Sequence, residues 1–426
     1  MQDGDILRAL ESGKIKPREV EEIIWKGNRQ MDWSGANRRA ALIRLRFLER
    51  KLGKKFQNIE RCYIDNSTMK GDIPVTGTEQ KIGGASTPLG VGGPIKVNGE
   101  YARGLFFLPV ATNEAALIAG LNRGIKIINE AGGIRTIVTK SGMSRAPAVE
   151  FPNIKTAMEV CQDISSKGEL YKKMKQAAES DSRVSKLLDI QPFQMGRVVH
   201  LRFTFDTGDS MGMNSATKYS ANAIRVLREK YHFMKLISLS ANMCSDKKAS
   251  HVNVLLGRGK SVETEVTVPG KLIKRVYGVK PEDIVRLNQI KNMEGSALSG
   301  TVSGFNANVS NTLAALFVAT GQDCAQLVES ASGFTRAEME KGNIVFGCRF
   351  PSLEVATVGG GTGFGTAKEC LEMLGCSGPG EKPGDNAKKL AEIFAAAATA
   401  QDLNLLGAEA HGFELADSHI KLARGK

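Results

Sequence analysis

The sequence contains no long apolar run, few aromatic residues and no metal-ligand motif. No uninterrupted apolar stretch approaches the roughly 18 residues that a membrane-spanning helix needs. The seven cysteines are odd in number and form no C-x-x-C, and with five histidines they give no zinc-binding spacing. Aromatic residues make up 6% of the chain, without a ribonucleoprotein or helix-turn-helix signature. We therefore expect a cytoplasmic protein with reduced thiols, no metal and no membrane segment.

Net charge and chain length further restrict the class of protein and the kind of partner that the sequence allows. A formal net charge of +13 permits anionic partners, and small polyanions such as nucleotides fit at least as well as nucleic acid. The Lys and Arg residues are scattered, so an ordinary basic surface accounts for most of them. With 426 residues, 42% apolar and 24% charged, the chain is long enough for two or three globular domains.

Hydrophobic periodicity predicts a mixture of helices and strands. Residues 1–55 have a helical pattern that stops at Gly53, and the Gly- and Pro-rich run 71–94 predicts an irregular binding loop. Further helices are expected near 112–129, 154–166, 169–180, 219–230, 302–319 and 386–406, and strands near 101–110, 184–191, 197–205 and 234–239. This mixture is typical of an α+β fold.

The heptapeptide Gly208-Asp209-Ser210-Met211-Gly212-Met213-Asn214 combines residue types that no ordinary element needs together. A surface turn uses Gly, Asp and Asn but not two Met, whereas a core strand or helix uses Met but avoids Gly and Asp. A backbone segment that approaches a flat, partly apolar ligand accounts for both the glycines and the methionines, because glycine gives access and methionine gives adaptable contact. A strand end with methionines as gap-fillers is the alternative interpretation.

Four sites carry side chains suited to acid–base or oxyanion chemistry, and each also has an ordinary structural explanation. Lys247 and Lys248 can bind an oxyanion and a carboxylate, or form a solvated loop. Glu114 is either a buried acid or a charge that favours a helix N-terminus. Asp323 is a helix-end cap or the buried partner of a lysine. His419 is an exposed tail residue or a proton donor on a mobile tail.

Two glycine-rich stretches imitate nucleotide-binding motifs without matching them. Gly257-Arg258-Gly259-Lys260-Ser261 is similar to the end of a P-loop, but Val254 stands where the first glycine should be. The run 359–365 does not follow a clear strand into a helix, as a Rossmann fingerprint requires. Its backbone N–H groups can still cradle a phosphate or a nucleotide ring, and a tight turn is the equal alternative.

Taken together, the motifs resemble those of the hydroxymethylglutaryl-CoA (HMG-CoA) reductase family over residues 60–426. The matching stretches are Ala111-Thr112-Asn113-Glu114, Asn122-Arg123-Gly124, Gly142-Met143-Ser144-Arg145, the heptapeptide 208–214, Ser245-Asp246-Lys247-Lys248, Gly321-Gln322-Asp323, residues 357–362 and Ser418-His419. Lys247 and Asp323 are 76 positions apart (323 − 247), which resembles the first class of the family rather than the second. We expect a soluble archaeal or bacterial-type member without a membrane anchor.

The resemblance implies a four-electron reduction of HMG-CoA to mevalonate and CoA with two NADPH, the committed step of the mevalonate pathway of isoprenoid biosynthesis. Lys247 is then the cation that stabilises the thioester-derived oxyanion and polarises mevaldehyde. Glu114 is the general acid of the second hydride step, and Asp323 bridges Lys247 and Glu114. His419 protonates the departing CoA thiolate.

The resemblance also implies three sets of binding residues. Those around the hydroxymethylglutaryl group are Arg145, Ser240, Asp246, Lys248, Lys291 and Asn311, and those near the CoA phosphates are Asn122, Arg123 and Lys126. Those of the nicotinamide cofactor are Asp209, Met211, Gly212, Met213 and Asn214, with Gly359 and Gly360. Ser182 and Arg183 match the pair that meets the adenosine 2′-phosphate, which favours NADPH over NADH.

The implied architecture is α+β, with a large domain of residues 59–148 and 239–426 around a central helix near 302–319. A small ferredoxin-like NADPH-binding domain, 149–238, is inserted in it, and residues 1–58 form an N-terminal helical segment. A homodimer or homotetramer with a composite active site is expected, without nucleic-acid or membrane partners. Two sequence positions depart from the family pattern: Gly84 replaces an aromatic of many relatives, and Asn308 replaces a histidine of animal relatives.

Two rival functions remain open at this stage. One is a non-catalytic, basic nucleotide- or RNA-binding protein on a degenerate reductase fold. The other is a reductase that works in the manner of the second class, with NADH. Intact Glu114, Lys247, Asp323 and His419 argue against the first rival, and Arg183 argues against the second.

Overall fold

The computed structural model describes residues 2–28, 30–70, 72–414, 416–417 and 420. The chain forms two compact units, residues 1–88 with 363–369, and residues 89–362 with 370–426. The three domain boundaries expected from the sequence stay a prediction.

The first unit is mainly helical, as the sequence predicts. Its elements are α1 (Asp3–Glu11), a 3₁₀ turn (Pro17–Glu19), α2 (Val20–Gly27), α3 (Trp33–Leu52), α4 (Gln57–Arg61) and the hairpin β1 (Ser67–Lys70) and β2 (Ile73–Thr76). The Asp32 carboxylate accepts the Gly35 N–H at 2.8 Å at the start of α3, and Gly53, at φ 64°, ends the helix. A Cβ on Gly84 would lie 1.8 Å from the Cys62 carbonyl oxygen, so close backbone approach explains the absence of an aromatic there.

The second unit contains the large sheet and the helices around it. Its strands are β3 (Leu89–Gly99), β4 (Arg103–Ala111), β5 (Ile134–Arg145), β6 (Ala148–Glu150), β7 (Lys186–Met195), β8 (Val198–Asp206), β9 (Lys235–Ser238), β10 (Gly259–Pro269), β11 (Phe334–Glu340) and β12 (Asn343–Leu353). Its helices as far as residue 287 are α5 (Leu117–Glu130), α6 (Ile154–Ser165), α7 (Glu169–Glu179), α8 (Met213–Lys230), α9 (His251–Leu256), α10 (Gly270–Tyr277) and α11 (Pro281–Leu287).

The remaining helical elements follow in the C-terminal third of the chain. They are a π-helix (Asn288–Gly295), α12 (Ser296–Leu298), α13 (Val309–Ala319), a 3₁₀ turn (Cys324–Gln326), α14 (Leu327–Ser330), a 3₁₀ turn (Gly360–Gly363), α15 (Gly365–Met373) and α16 (Asp385–Ala410). The described part of the chain therefore mixes helices and strands, and the predicted α+β class is confirmed.

Two groups of strands are joined through β5 and β8. The order along the sheet is β11-β12-β10-β5-β8-β6-β9, with β3 parallel to β5 and β4 antiparallel to β3. Within it, β6, β7, β8 and β9 pair only antiparallel, in the order β7-β8-β6-β9. With α6 and α7 between β6 and β7, and α8 between β8 and β9, this is the predicted ferredoxin-like βαββαβ topology. A separate hydrophobic cluster drawn from residues 143–234 packs beneath these strands.

The long buried helix of the second unit is α16, not the segment expected near 302–319. Residues 302–308 are not helical and α13 begins only at Val309, whereas α16 has 26 residues, most of them buried. Its small residues allow close packing, and its buried acids bind loop backbone. Glu392 accepts the N–H groups of Tyr101 at 3.0 Å and Ala102 at 2.6 Å. Asp402 accepts those of Ala307 at 3.0 Å and Asn308 at 2.8 Å.

The prediction of an irregular loop over 71–94 is wrong at both ends. Residues 73–76 form β2, and Leu89–Gly99 form β3 despite four glycines and a proline. The strand accommodates them through a register shift between Gly92 and Ile95, where pairing with β4 is interrupted. The helix expected from residue 112 starts at Leu117, because Ala116 is left-handed and the Glu114 N–H bonds the Thr112 hydroxyl instead.

Candidate active site

Lys247 and Asp323 form an ion pair, as expected for a lysine held by a carboxylate. Lys247 Nζ lies 3.1 Å from Asp323 Oδ2, and their side chains are 46% and 37% exposed. Asp323 also accepts the Ala325 N–H at 3.1 Å, because it caps the 3₁₀ turn that begins at Cys324. The loop that carries Lys247 is tightly bent, with Ser245 at φ 50° and Lys247 at φ 58°. Lys247 therefore presents its ammonium group from a left-handed backbone position.

A group of side chains lies beneath Lys247, and only Asp246 among them was predicted from the sequence as a site residue. We call Arg258, Asp246, Gln326, Glu329 and Glu354 the Arg258 cluster. Arg258 Nη1 lies 2.6 Å from Glu329 Oε1, 2.6 Å from Glu354 Oε2 and 3.0 Å from Gln326 Oε1. Its Nη2 donates to Asp246 Oδ1 at 3.0 Å. Arg258, Glu329 and Glu354 have fully buried side chains, so these charges are compensated almost entirely by one another.

Three of the residues predicted for the hydroxymethylglutaryl group lie together beside this cluster. Arg145 Nη1 donates to Ser240 Oγ at 2.6 Å and lies 3.6 Å from Asp246 Oδ2. Burial opposes ionisation of Asp246, but Arg258, Gln326 and Arg145 overcome it and lower the pKa of that carboxyl below its usual value. The exposed Lys248 folds back so that its Nζ lies 3.2 Å from the Asp246 carbonyl oxygen. Asp246 is therefore an ionised acceptor between two guanidinium groups.

Glu114 is brought together with Asn311 but not with Asp323. Asn311 Nδ2 lies 3.2 and 3.1 Å from the two Glu114 carboxylate oxygens, and Glu114 is exposed. Among the described residues, Glu114 forms no hydrogen bond or ion pair with Asp323 or Lys247. Asn311 is in the first turn of α13, and about 12 Å of helical rise separates it from Ala319 at the other end. The expected carboxylate bridge is thus present on its Lys247 side only.

The other predicted substrate residues have partners within the chain. Lys291 Nζ lies 2.7 Å from Glu409 Oε1, so α16 neutralises this lysine. Arg123 is paired with Glu414, donates to the Val276 carbonyl at 2.9 Å and lies over the Tyr277 ring. Asn122 Oδ1 accepts the Gly93 N–H at 2.8 Å, which holds the irregular part of β3. Lys126 is exposed on the same helix, α5.

The heptapeptide 208–214 lies next to the second glycine-rich segment. The Asp209 carbonyl oxygen accepts the N–H groups of Thr357 at 2.9 Å and Val358 at 3.2 Å, and Ser210 forms a parallel bridge with Val358. The Asp209 carboxylate is buried and accepts the N–H groups of Gly380, Gly384 and Ala387 at 2.9–3.1 Å. Asp209 is therefore buried and committed to the start of α16, which leaves ligand contact to its neighbours.

The open backbone of these segments fits a phosphate-bearing cofactor. Gly212 caps the 18-residue α8, whose first N–H groups form the positive end of the helix dipole. A Cβ on Gly359 or Gly360 would meet no atom within 4 Å, so their exposed backbone is accessible to a ligand. Met211 is half-buried and Met213 is buried with its sulfur against Arg258, while Asn214 is exposed. The heptapeptide 208–214 and the glycines 359 and 360 therefore suit a nucleotide bound along both segments.

The remaining predicted residues are separate from these clusters. Ser182 Oγ accepts the Ser185 N–H at 2.7 Å, and Arg183 is exposed just before β7. His419 lies outside the described residues. Neither the catalytic nor the cofactor roles expected of these residues are tested by the geometry, and they stay predictions.

The fold and the site together define a nucleotide-dependent oxidoreductase. The hydroxymethylglutaryl-coenzyme A reductase family model matches residues 40–424 of the chain. The 3-hydroxy-3-methylglutaryl-coenzyme A reductase of Pyrococcus abyssi is 41% identical over 421 residues, covering 99% of both chains. That of Aeropyrum pernix is 41% identical over 419 residues, covering 96% of this chain and 97% of the relative. The chain therefore belongs to the hydroxymethylglutaryl-coenzyme A reductase family.

Solved structures of Streptococcus pneumoniae proteins share the fold. A 3-hydroxy-3-methylglutaryl-coenzyme A reductase has a TM-score of 0.62 and 19% identity, covering 90% of this chain and 86% of that one. A class II reductase bound to NADPH in open conformations has a TM-score of 0.60 and 20% identity, covering 78% and 77%.

Proposed function

We propose that the protein reduces hydroxymethylglutaryl-CoA to mevalonate and CoA with two NADPH. The observation that supports this most directly is the Lys247–Asp323 ion pair beside the Arg145–Ser240–Asp246 group. It places a fixed ammonium next to polar groups that can bind a carboxylate and a hydroxyl. Full-length relatives named as this reductase, at about 41% identity, support the same reaction.

Each residue then has a defined task. NADPH, when bound, supplies the hydride. Lys247 stabilises the negative charge that develops on the carbonyl oxygen, and Asp323 orients its ammonium group. Glu114 donates the proton to the aldehyde oxygen, and Asn311 fixes the direction of its carboxyl group. Arg145, Ser240 and Asp246 bind the polar end of the acyl group, and His419 protonates the CoA thiolate.

The cofactor is held by backbone rather than by Asp209. The N-terminus of α8 and the exposed glycines 359 and 360 bind phosphate and ring edges, while Met211 contacts the nicotinamide. Asp209 acts indirectly, because it ties the heptapeptide to the start of α16. Exposed Arg183 meets the adenosine 2′-phosphate.

The active site is composite and the protein is a homodimer or homotetramer. Among the described residues Glu114 forms no hydrogen bond with Lys247 or Asp323, so a second chain is proposed to bring the missing group to each site. Exposed apolar side chains on neighbouring strands support an interface: Leu89 and Val91 on β3 are 51% and 53% exposed, and Leu105 and Phe107 on β4 are 63% and 52% exposed. Light scattering should give a mass of two or four chains.

The chain belongs to the first class of the family. Its support is the spacing of 76 positions between Lys247 and Asp323, which are paired in space. No helix in the described part of the chain is long and apolar enough to cross a membrane. The cytoplasmic location stays a prediction.

The decisive assay follows NADPH absorbance in the presence of hydroxymethylglutaryl-CoA. We expect oxidation of two NADPH for each mevalonate formed. Absence of oxidation at every ionic strength, with retained nucleotide or RNA binding, would favour the non-catalytic rival.

Cofactor choice is tested by the variant Arg183→Ala. Loss of the guanidinium should lower kcat/KM for NADPH by about tenfold or more and leave that for NADH nearly unchanged. Arg197→Ala is the matched control, because Arg197 is also exposed but pairs with Glu150. Unchanged NADPH preference in the Arg183 variant would remove this account and favour an NADH-type enzyme.

A further inference from the structure

We propose that Glu329 is a positioning residue for the catalytic Lys247, and that the buried Arg258 anchors it. Glu329 Oε1 accepts the Lys247 backbone N–H at 2.7 Å and lies 2.6 Å from Arg258 Nη1. The inference depends on the proposed function, since it assigns Glu329 a part in setting the Lys247 ammonium. The Glu329 side chain is fully buried, so its proposed action is through Lys247.

One short segment holds the Asp246-Lys247 dipeptide at three points. Asp323 binds the Lys247 ammonium at 3.1 Å, and Gln326 Nε2 donates to Asp246 Oδ1 at 3.1 Å. Glu329 then accepts the Lys247 N–H. All three side chains come from consecutive turns, the 3₁₀ helix and α14, so they form one rigid frame. The frame fixes both ends of Lys247, its backbone and its ammonium.

The backbone of Lys247 needs such a frame because it is left-handed. A non-glycine residue at φ 58° is strained and persists only where its surroundings enforce it. The only side-chain acceptor that the described residues offer to its N–H is the Glu329 carboxylate. Removing that acceptor frees the loop to relax toward ordinary backbone angles. The ammonium then moves away from the carbonyl oxygen that it polarises.

Arg258 makes the frame rigid from below. It lies at 0% exposure and binds three acids and one amide that converge on it. Burial would lower its pKa, but Glu354, Asp246 and Glu329 raise it overall, so the guanidinium stays charged. Its second nitrogen also touches the Met213 sulfur. The same cation thus contacts the lysine loop and the proposed nicotinamide segment.

Glu354 allows Glu329 to be changed without leaving Arg258 uncompensated. Burial, against the influence of Arg258, raises the pKa of Glu354 well above its ordinary value, and Glu354 Oε2 lies 2.6 Å from Arg258 Nη1. When Glu329 becomes an uncharged glutamine, the carboxyl groups of Glu354 and Asp246 remain within 2.6 and 3.0 Å of Arg258. Glutamine also keeps an oxygen for the Lys247 N–H. The Glu329→Gln variant should therefore retain the positioning that Glu329→Ala loses.

The test compares these two variants by steady-state kinetics on the assembled enzyme. Glu329→Ala should lower kcat by about 30-fold or more with both KM values changed less than about threefold, because misplacing a catalytic group lowers the rate rather than binding. Glu329→Gln should keep kcat within about threefold of wild type. The effect of Glu329→Ala should appear in both hydride steps, thioester and supplied mevaldehyde, because Lys247 serves both.

Glu392→Ala is the matched control for general destabilisation. Glu392 is equally buried and also accepts backbone N–H groups, but it lies at the turn of residues 100–102. Its variant should lose thermal stability while keeping kcat within about threefold below the unfolding temperature. Equal kcat losses in the Glu329 and Glu392 alanine variants, a rise in KM alone, or no rescue by glutamine would overturn the positioning role. An inactive wild type would instead overturn the proposed function, so the two failures are distinguishable.

Discussion

Lys247 and Glu114 lie in environments of opposite kind. Lys247 is bound through its ammonium and its N–H, over a buried cluster of one guanidinium and three acids. Glu114 is exposed and bound by a single amide, that of Asn311. The cation is therefore fixed by its own chain before any ligand arrives. The acid is left for a ligand or a second chain to fix.

The chemistry proposed for each residue accounts for this difference. A cation that stabilises an oxyanion works best when preorganised, because no reorganisation is then needed at the moment of reaction. A proton donor must approach its acceptor only in the second hydride step and tolerates looser placement before that. Substitutions at the two positions should separate these requirements.

Replacing the fixed cation should have the largest effect. Lys247→Ala should lower kcat by about 10²–10³-fold in both hydride steps, because the oxyanion loses its principal electrostatic partner. Separate assays with the thioester and with mevaldehyde measure this. Lys271→Ala, which removes an exposed lysine of α10, is the control. Activity retained in the Lys247 variant would mean that another group polarises the carbonyl.

Replacing the loosely held acid should affect one step selectively. Glu114→Gln keeps the contact with Asn311 but cannot donate a proton, so mevaldehyde reduction should fall by about 10²-fold or more. Thioester reduction should fall less. Glu130→Gln is the control, because Glu130 is also an exposed glutamate and lies at the end of α5, the helix that follows Glu114. Equal losses in both steps would assign Glu114 an earlier role and weaken the contrast with Lys247.

Substitution of Asp209 tests whether this buried acid of the heptapeptide stabilises the fold rather than contacting the cofactor. Asp209→Ala should lower the free energy of unfolding by about 2 kcal/mol, because three backbone N–H groups lose their acceptor. Urea denaturation measures it, and Asp209→Asn should lose less. A variant of wild-type stability that binds NADPH poorly would contradict the capping role and return Asp209 to direct ligand contact.

A pH dependence of the free energy of unfolding is expected at Lys260. Burial lowers the pKa of Lys260 to about 8, whereas an unfolded lysine has about 10.4. Below pH 8 both states are protonated and the folded state carries the full free energy of burying the charge. Between about pH 8 and 10.4 unfolding takes up a proton, so the stability contribution of Lys260 rises with pH.

The measurement compares wild type with Lys260→Met. The stability of the methionine variant relative to wild type should be greatest at pH 7 and should shrink by pH 10. Because other titrating groups are common to both proteins, the difference isolates Lys260. A pH-independent difference would show that Lys260 is charged throughout this range.

Local signals predicted part of the fold well. The stop at Gly53 matches the end of α3, and the pattern over 386–406 matches α16, which spans Asp385–Ala410. Both depend on spacing and capping within one element. The strand β3 was not predicted, because its pairing with β4 and β5 outweighs the low strand propensity of its glycines and proline.

Site residues were predictable where they belong to a local sequence motif. They were not predictable where the contacts join residues that are far apart in the sequence. Lys247, Asp323 and Glu114 were found by resemblance, and the first two are paired as expected. The Arg258 cluster was missed because its members are spread over more than 100 positions, and no spacing relates Glu329 to Lys247. One signal was available in the sequence. Arg258 lies between two glycines at the start of a strand, where an arginine is expected to be buried only if acidic side chains surround it.

The acids bound along α16 also bear on how the chain matures during synthesis. Asp209 has its hydrogen-bond partners in residues 380–387, which follow it by 171 to 178 positions. The loops at 101–102 and 307–308 likewise have their partners in Glu392 and Asp402. A ribosome must therefore deliver nearly the whole chain before these loops find their partners. We expect nascent fragments that end before residue 380 to lack the N–H groups that hold Asp209 in the heptapeptide, so NADPH binding should begin only after α16 has been made.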